Sequence, residues 1–213
     1  MTLALNNEFF HFEWLAGQAA WQLAPAGADG LALHSLRMRV EYHLDGRLHK
    51  MLLDAQKGAF QPLRIGNSPL GELELLEVEL PGEPSPLQVS HSFALAKSIP
   101  LFLWKIALKN SSPQPLSVRR ITLLELGGAG EPFPALVEPA FYANGWQTWS
   151  FSGAYGAQDS PRRSHLGFFD LPMRLNAGSP APRRRGHFAA EMFGVLGDRA
   201  SRQAVLLGFL SQH

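Results

Sequence analysis

One segment of the chain combines aromatic and hydrogen-bonding side chains in a mixture suited to sugar recognition. Residues 141–151 read Phe-Tyr-Ala-Asn-Gly-Trp-Gln-Thr-Trp-Ser-Phe, so five of the eleven side chains are aromatic. An indole ring can stack on the apolar C–H face of a pyranose, while amide and hydroxyl groups bind its hydroxyls. The segment therefore supplies four candidate sugar-binding residues, which are Asn144, Trp146, Gln147 and Trp149.

The spacing of the two tryptophans leaves two interpretations open. In an extended backbone Trp146 and Trp149 point to opposite faces, so at most one of them packs in a core. Asn144-Gly145 would then supply a turn that presents the indoles. In the other interpretation both rings pack in the core or between domains, as large aromatic residues commonly do.

Other constellations that could carry chemistry are incomplete. Ser152-Gly153 lacks the glycine and the strand-to-helix context of a nucleophile elbow. Residues 127–130 are rich in glycine but precede Glu-Pro-Phe-Pro, so they predict a loop instead of a phosphate cradle. His43 and His49 flank a tight turn and could approach each other across a hairpin, but no cysteine or carboxylate completes a metal site. We expect no metal and no cofactor.

The patterns of charged residues also predict solvent-exposed surface and not a catalytic or nucleic-acid-binding site. Four glutamates alternate with apolar residues along one stretch, which is typical of a solvated strand face and not of a general acid–base pair. These are Glu72, Glu74, Glu77 and Glu79. The arginine clusters at 162–163 and 183–185 lie in loops without interleaved aromatic residues, unlike a platform for single-stranded nucleic acid.

Length and composition exclude several classes of protein. The chain has 213 residues, of which 46% are hydrophobic, and 19 basic against 18 acidic side chains give a net charge of +1. This balance is unlike that of a disordered chain or a duplex-DNA binder. A complete (β/α)8 barrel needs roughly 250 residues, so none fits. The absence of cysteine, of a signal peptide and of a long apolar run predicts a soluble, cytoplasmic protein.

The sequence pattern predicts that the elements that position the aromatic segment are β-strands. Residues 38–44 and 47–53 alternate between apolar and polar side chains around Asp45-Gly46, which predicts a hairpin with a type I′ turn. Residues 72–80 alternate in the same way, but their phase slips at Leu75-Leu76, where a β-bulge would restore it.

Further strands follow in pairs towards the C-terminus. Residues 101–108 and 116–126 form one pair, and the first of these is apolar on both faces, which predicts a central position between two layers. Residues 187–196 and 203–210 form another hairpin. Many short strands and no long amphipathic helix predict an all-β antiparallel β-sandwich with little helix, as a single domain over 1–213.

Two short motifs resemble a known family. The heptapeptide at 144–150, Asn-Gly-Trp-Gln-Thr-Trp-Ser, closely resembles the Asn-Gly/Asn-Trp-Gln-Ser-Trp motif in the N-terminal domain of glycoside hydrolase family 36 α-galactosidases. Residues 205–211, Val-Leu-Leu-Gly-Phe-Leu-Ser, resemble the Gly-Phe-Leu-Ser strand that follows this motif at a comparable distance in the family.

The resemblance implies a fold for this chain and separate roles for this domain and for a catalytic domain. It implies a supersandwich of the galactose-mutarotase type, packed against a (β/α)8 barrel that carries two catalytic aspartates of a retaining mechanism. It also implies that Trp149 reaches the galactose pocket, while Trp146 and Gln147 support the loop. The chain lacks the barrel, and the family's sandwich continues after the second motif. We therefore expect an accessory domain that is incomplete at its C-terminal end and not catalytic by itself.

The expected partners are its own barrel domain and an α-galactoside. We expect no binding to nucleic acid or to a membrane, and the formation of a homo-oligomer is left open. Two other functions remain open: a stand-alone carbohydrate-binding module, and a purely structural or oligomerisation domain. The natural substrate is also open, because raffinose-type oligosaccharides, simple α-galactosides and N-acetylgalactosaminides all suit the motif.

Overall fold

A computed structural model describes most of the chain and divides it into two units. The described residues are 3–15, 20–27, 32–52, 59–60, 64–80, 86–125, 136–144, 152–160, 185–186, 188, 190 and 193–209. Unit 1 spans residues 1–134 and unit 2 spans residues 135–213. Throughout these ranges the regular structure is β-strand, and no helix is long and apolar enough to cross a membrane. The prediction of a single domain over 1–213 stays a prediction.

Unit 1 contains two antiparallel sheets. The first sheet has the order β1-β2-β3-β4-β11, with β5 also paired to β4. Its strands are β1 (Leu3–Asn6), β2 (Phe10–Leu15), β3 (Ala20–Pro25), β4 (Leu33–Leu44), β5 (Arg47–Leu52) and β11 (Ser117–Glu125). The second sheet has the order β10-β9-β8-β6, with β7 also paired to β8. Its strands are β6 (Ala59–Phe60), β7 (Arg64–Ser68), β8 (Gly71–Leu80), β9 (Leu87–Ala96) and β10 (Phe102–Asn110).

Unit 2 contains one four-stranded antiparallel sheet with the order β13-β12-β14-β15. Its strands are β12 (Pro139–Ala143), β13 (Gly153–Gly156), β14 (Phe193–Asp198) and β15 (Gln203–Gly208). The predicted C-terminal hairpin is confirmed as β14 and β15, which pair from Phe193↔Gly208 to Asp198↔Gln203.

The hairpin predicted around residues 45–46 is also confirmed. Leu44 pairs with Arg47, and the two residues between them have positive φ, 51° at Asp45 and 73° at Gly46. Both residue types tolerate this left-handed backbone, which gives a two-residue turn the twist of the strands on either side. The turn thereby fixes the register of β4 against β5.

The core of unit 1 is an aromatic layer between its two sheets. Phe12 and Trp21 from the first sheet contact Phe93 from the second, with ring centroids 4.7 and 6.0 Å apart. Phe102 and Trp104 on β10 join the same layer, and the Trp21 and Trp104 rings meet edge to face at 5.2 Å. Rings from both sheets interleave here, so the predicted all-β antiparallel sandwich is confirmed.

The predicted β-bulge in β8 is wrong. The pairs between β8 and β9 run without a break from Leu73↔Ala96 to Leu80↔Val89. The strand is instead covered on both faces at different points. Leu76 and Val78 are buried on the face towards the first sheet, while Leu73 is buried with Ala94 and Ala96 on the opposite face. The phase of the hydrophobic pattern slips because the buried face changes, not because a residue is inserted.

Two predictions about residues 101–126 are also wrong. The strands β10 and β11 lie in different sheets, because β10 pairs with β9 and β11 pairs with β4. β10 also ends the order of the described strands in its sheet instead of lying centrally. It is apolar on both faces because Phe102 and Trp104 join the aromatic layer while Leu103 packs on the small cluster of the opposite face.

Candidate functional site

The sugar-binding candidates lie in and beside a hairpin connection at one end of the sheet in unit 2. β12 ends at Ala143 and β13 begins at Gly153, and these two residues pair directly. Residues 144–152 therefore connect two neighbouring antiparallel strands. Asn144 lies at the start of this connection. Trp146, Gln147 and Trp149 fall within 145–151, outside the described residues, so their predicted roles stay predictions.

Asn144 continues the hydrogen bonding of β12 beyond the last strand pair. Ala143 pairs with Gly194 on β14, and the Asn144 backbone N–H donates to the Phe193 carbonyl at 3.4 Å. At Asn144 the backbone therefore still follows the path of β12. The predicted sugar-binding role of the Asn144 side chain stays a prediction.

The strand that carries the start of the second motif ends at the same sheet end as Asn144. Phe193 on β14 pairs with Gly208, the last residue of β15, and the neighbouring Gly194 pairs with Ala143. The C-terminal end of β15 therefore lies on the side of the sheet where residues 144–152 begin and end. Phe209 follows with 57% of its surface exposed. The sequence alone does not reveal this arrangement, because Val205 follows Gly153 by 52 positions and only the strand order brings β13 and β15 into one sheet.

Aromatic side chains on both faces of the sheet hold β12 in place. Phe141 pairs with Tyr155, and both rings stack on Phe188, with centroids at 5.7 and 4.5 Å. On the other face Tyr142 stacks on Phe193 at 6.1 Å. Stacked ring pairs add packing energy beyond their buried area, so the strand that feeds the connection is held from both sides.

A glycine on β14 makes room for one of these rings. A Cβ at Gly194 would lie 3.0 Å from Cζ of Phe141 and 3.2 Å from its Cε2. These distances are shorter than an ordinary carbon–carbon contact, so a side chain here would displace the ring. The absence of a side chain at Gly194 thus sets how closely Phe141 packs on the sheet.

Asp198 fixes the opposite end of the sheet. Its Oδ1 accepts from the backbone N–H groups of Glu138, at 2.8 Å, and Ala200, at 3.3 Å. The hydrogen bond from Glu138 is the main reason that the pKa of Asp198 lies below its usual range. One carboxylate thereby ties the start of β12 to the turn between β14 and β15.

The histidine pair considered as a metal site does not form. His49 lies opposite Tyr42, and the two rings stack at 5.3 Å. His43, adjacent to Tyr42 on β4, lies opposite Leu48 and therefore points to the other face of the sheet. In the ranges that the structure describes, no three His, Asp or Glu side chains are placed to hold a metal ion.

The four glutamates divide between the two faces of β8. By strand alternation Glu72 and Glu74 share one face, and Glu77 and Glu79 share the other. Glu72 forms an ion pair with Lys97, and Glu77 lies 4.0 Å from Arg64 Nη1 and 3.4 Å from Ser92 Oγ. The prediction that all four lie on one solvated face is therefore wrong. Two apolar residues follow each other at Leu75-Leu76, so the glutamates before and after this point lie on opposite faces of the strand.

The sequence interpretation also missed the most unusual polar group of unit 1. His91 is fully buried on the inner face of β9, and its Nδ1 accepts a hydrogen bond of 3.1 Å from Trp104 Nε1. Burial lowers its pKa from 6.5 to about 4. The signal was present, because His91 alternates in step with Leu87, Val89, Phe93 and Leu95, which are all buried.

Comparisons of the chain with family models, with curated proteins and with solved structures find no match. What bears on function is therefore the two motifs and their placement. The motif at 144–150 falls within a hairpin connection of nine residues, and β15, which carries the first four residues of the motif at 205–211, ends on the same side of the sheet. A sheet end at which two separate segments converge is a common position for binding residues, because the rigid strands position the loops that carry them.

Proposed function

We propose that the chain is the N-terminal accessory β-sandwich region of an α-galactosidase-like glycoside hydrolase, not catalytic by itself. In this function it packs against a (β/α)8 barrel and lends Trp149 to the pocket that binds the terminal galactose. The observation that carries the proposal is that Asn144, where the first motif begins, and the C-terminal end of β15, which contains the first four residues of the second motif, lie at the same end of the sheet in unit 2. Two motifs that resemble the same family would then act at one place.

The arrangement of β12 supports a role in positioning a ring. β12 pairs with β13 on one side and with β14 on the other, so the connection that begins at Asn144 starts from a strand held on both edges. The stacked rings of Phe141 and Tyr142 hold its two faces. The backbone from which the connection starts is therefore fixed before any sugar binds, which lowers the entropy lost on binding.

The chemistry of the connection suits a galactoside. The indole of Trp149 would cover the apolar face of the pyranose, and the amides of Asn144 and Gln147 would bind hydroxyls or hold the loop. Trp146 would support the loop from beneath. The hydrolysis itself requires carboxylates of the barrel, so the contribution of this chain is to substrate binding.

The direct test is Trp149→Ala in the intact enzyme, assayed by the hydrolysis of raffinose and of a chromogenic α-galactoside. Loss of an aromatic contact of about 0.5–1.5 kcal/mol raises KM about 2- to 10-fold with a smaller change in kcat. Trp149→Phe keeps a ring at the same place and restores most of the affinity. Unchanged KM and kcat in Trp149→Ala would refute the assignment.

A titration of the 213-residue chain alone separates this function from a stand-alone carbohydrate-binding module. Trp14 and Trp21 are buried, so a sugar-dependent change in tryptophan fluorescence would come from residues outside the core of unit 1. Saturable binding of galactose that Trp149→Ala abolishes would favour the independent module. We expect no saturable binding, because the proposed pocket needs the barrel as its other wall.

A structural or oligomerisation domain is the second candidate, and the surface of β15 favours it. Leu206 and Phe209 are 65% and 57% exposed, and Leu207 between them is also exposed. Leu206 and Leu207 point to opposite faces of β15, so the end of this strand exposes apolar surface on both faces, and exposed apolar surface is typical of protein–protein contacts. Sedimentation of the chain at increasing concentration tests this function, which a concentration-independent monomer would contradict.

A further inference from the structure

His91 is a titratable side chain enclosed by aromatic rings. It lies on the inner face of β9 without exposed surface. Its ring stacks on Phe93 at 5.8 Å and tilts against Trp104 at 5.9 Å and Trp14 at 6.4 Å. Because Trp14 belongs to the first sheet and Trp104 to the second, the imidazole lies at the interface between the two sheets of unit 1.

The hydrogen bond from Trp104 requires a neutral imidazole with its proton on Nε2. An indole N–H is only a donor, so Nδ1 of His91 must keep its lone pair to accept the bond of 3.1 Å. In the charged ring both nitrogens carry a proton, and Nδ1–H would then face the Trp104 N–H. Nε2 is buried and has no hydrogen-bond partner in the described structure, so a charged ring would gain no acceptor there.

Among the described residues, no carboxylate forms a hydrogen bond or an ion pair with His91. Val78 on β8 and Ile106 on β10 lie directly opposite it. The titratable side chains of the strands packed around it are His11 and Glu13 on β2, Glu72, Glu74, Glu77 and Glu79 on β8, and Lys105 and Lys109 on β10.

Strand alternation places most of these groups on the far faces of their sheets. His11 and Glu13 alternate with the buried Phe12 and Trp14, and the remaining outward groups are Glu77, Glu79, Lys105 and Lys109. Glu72 and Glu74 share the face of His91. Glu74 lies opposite Leu95, four residues along β8 from Val78, and Glu72 lies further away, where it is paired with Lys97.

We propose that His91 makes unit 1 acid-labile: mild acid protonates this ring once the two sheets separate, and the charged ring does not fit back between them. The proton comes from water and goes to Nδ1, the atom that accepts the bond from Trp104 in the folded unit. This property is independent of the proposed sugar-related function, because His91 and its neighbours all belong to unit 1.

The direction in which stability changes with pH follows from the pKa of His91 in the folded and unfolded states. The pKa of His91 is about 4 in the folded unit and 6.5 in the unfolded chain. Between these values the unfolded chain binds more protons, so stability is complete above pH 6.5 and is lost as the pH falls towards 4. The ratio of folded to unfolded molecules falls about 30-fold between pH 7.5 and pH 5.

The test is urea unfolding at pH 7.5, 6 and 5, followed by tryptophan fluorescence, in the wild-type chain and in His91→Gln. Glutamine does not titrate, and its amide oxygen can accept from Trp104. We expect the variant to lose most of the 30-fold dependence on pH, and His49→Gln, an exposed histidine on β5, to retain it. An unchanged pH dependence in His91→Gln would overturn the proposal.

A second measurement decides the matter if His91→Gln does not fold. In the folded wild-type chain, the Cε1 resonance of His91 is expected to change little in NMR spectra between pH 7.5 and pH 5, because burial lowers its pKa to about 4. A titration of the His91 resonance with a midpoint near pH 6.5 in the folded chain would overturn the proposal.

Discussion

The two units use aromatic residues differently. In unit 1, rings from two sheets interleave, and Phe93 alone contacts Phe12, Trp14, Trp21, Phe102 and Trp104. In unit 2, rings stack in small groups on the faces of one described sheet, and apolar residues on β15 stay exposed. The first arrangement serves stability, and the second leaves a sheet end with side chains accessible to a ligand or partner.

The largest expected effect comes from Phe93→Ala. This removes the central ring of the layer in unit 1 and should cost about 3–5 kcal/mol of the free energy of unfolding. Phe209→Ala in unit 2 is the matched control, because its exposed ring should change that free energy by less than about 0.5 kcal/mol. Urea unfolding of both variants measures the difference. Equal losses would remove the distinction between the two units.

Trp104→Phe sharpens the account of unit 1 by removing one N–H while keeping a ring. We expect a loss of about 1–2 kcal/mol at pH 7.5, from the missing hydrogen bond to His91 and the smaller ring. Burial lowers the pKa of His91 and is retained in this variant, so the fall in stability between pH 7.5 and pH 5 should remain. Loss of this pH dependence in urea unfolding of Trp104→Phe would contradict this explanation.

In unit 2, Gly194→Ala tests whether close packing of Phe141 matters. The new methyl group would lie 3.0 Å from the ring, and the displacement should cost about 1 kcal/mol. Hydrogen exchange at the amides of β12 should accelerate locally, while exchange in β9 stays unchanged. Pairing this change with Phe141→Leu relieves the overlap, so the double variant should recover part of the loss.

The smallest expected effect concerns Asp198 and appears only in acid. Its pKa is lowered in the folded unit, so the stability it contributes is present above its ordinary pKa of 3.8 and is lost as the pH falls through the folded value. Asp198→Asn should reduce the pH dependence of unit 2 below pH 4 and leave the range from 6.5 to 5 unaltered. A change in that higher range would mean that the acid sensitivity does not divide between the units as described.

The sequence predicts the local structure well and the long-range pairing poorly. Asp45-Gly46 defines a hairpin because the turn itself demands residues that accept positive φ. The partner of β11 is a different matter, since the pairing with β4 depends on contacts 70 or more residues apart. The periodicity of apolar residues predicted β8 correctly, but the break in that periodicity at Leu75-Leu76 was interpreted as a β-bulge. The pattern along one strand does not show which face of the strand is covered by other residues.

The site could be predicted in part for the same reason. The residue types in 141–151 predict a sugar ligand, and the two motifs resemble one family. That Asn144 and the end of β15 lie at the same end of the sheet depends on β14 lying between β12 and β15, which no local pattern specifies. His91 was overlooked because a lone histidine has no motif, although its inward position follows from the alternation of its neighbours.

The direct pairing of Ala143 with Gly153 has a consequence for evolution and engineering. The backbone pair closes the connection at its base, so its length and composition can change without altering the register of the sheet. Because the entropic cost of closing a loop grows slowly with its length, insertions in this connection should lower the free energy of unfolding only slightly. Residues 144–152 are thus a position where one sequence can be replaced by another by grafting, while β12 and β13 stay unchanged.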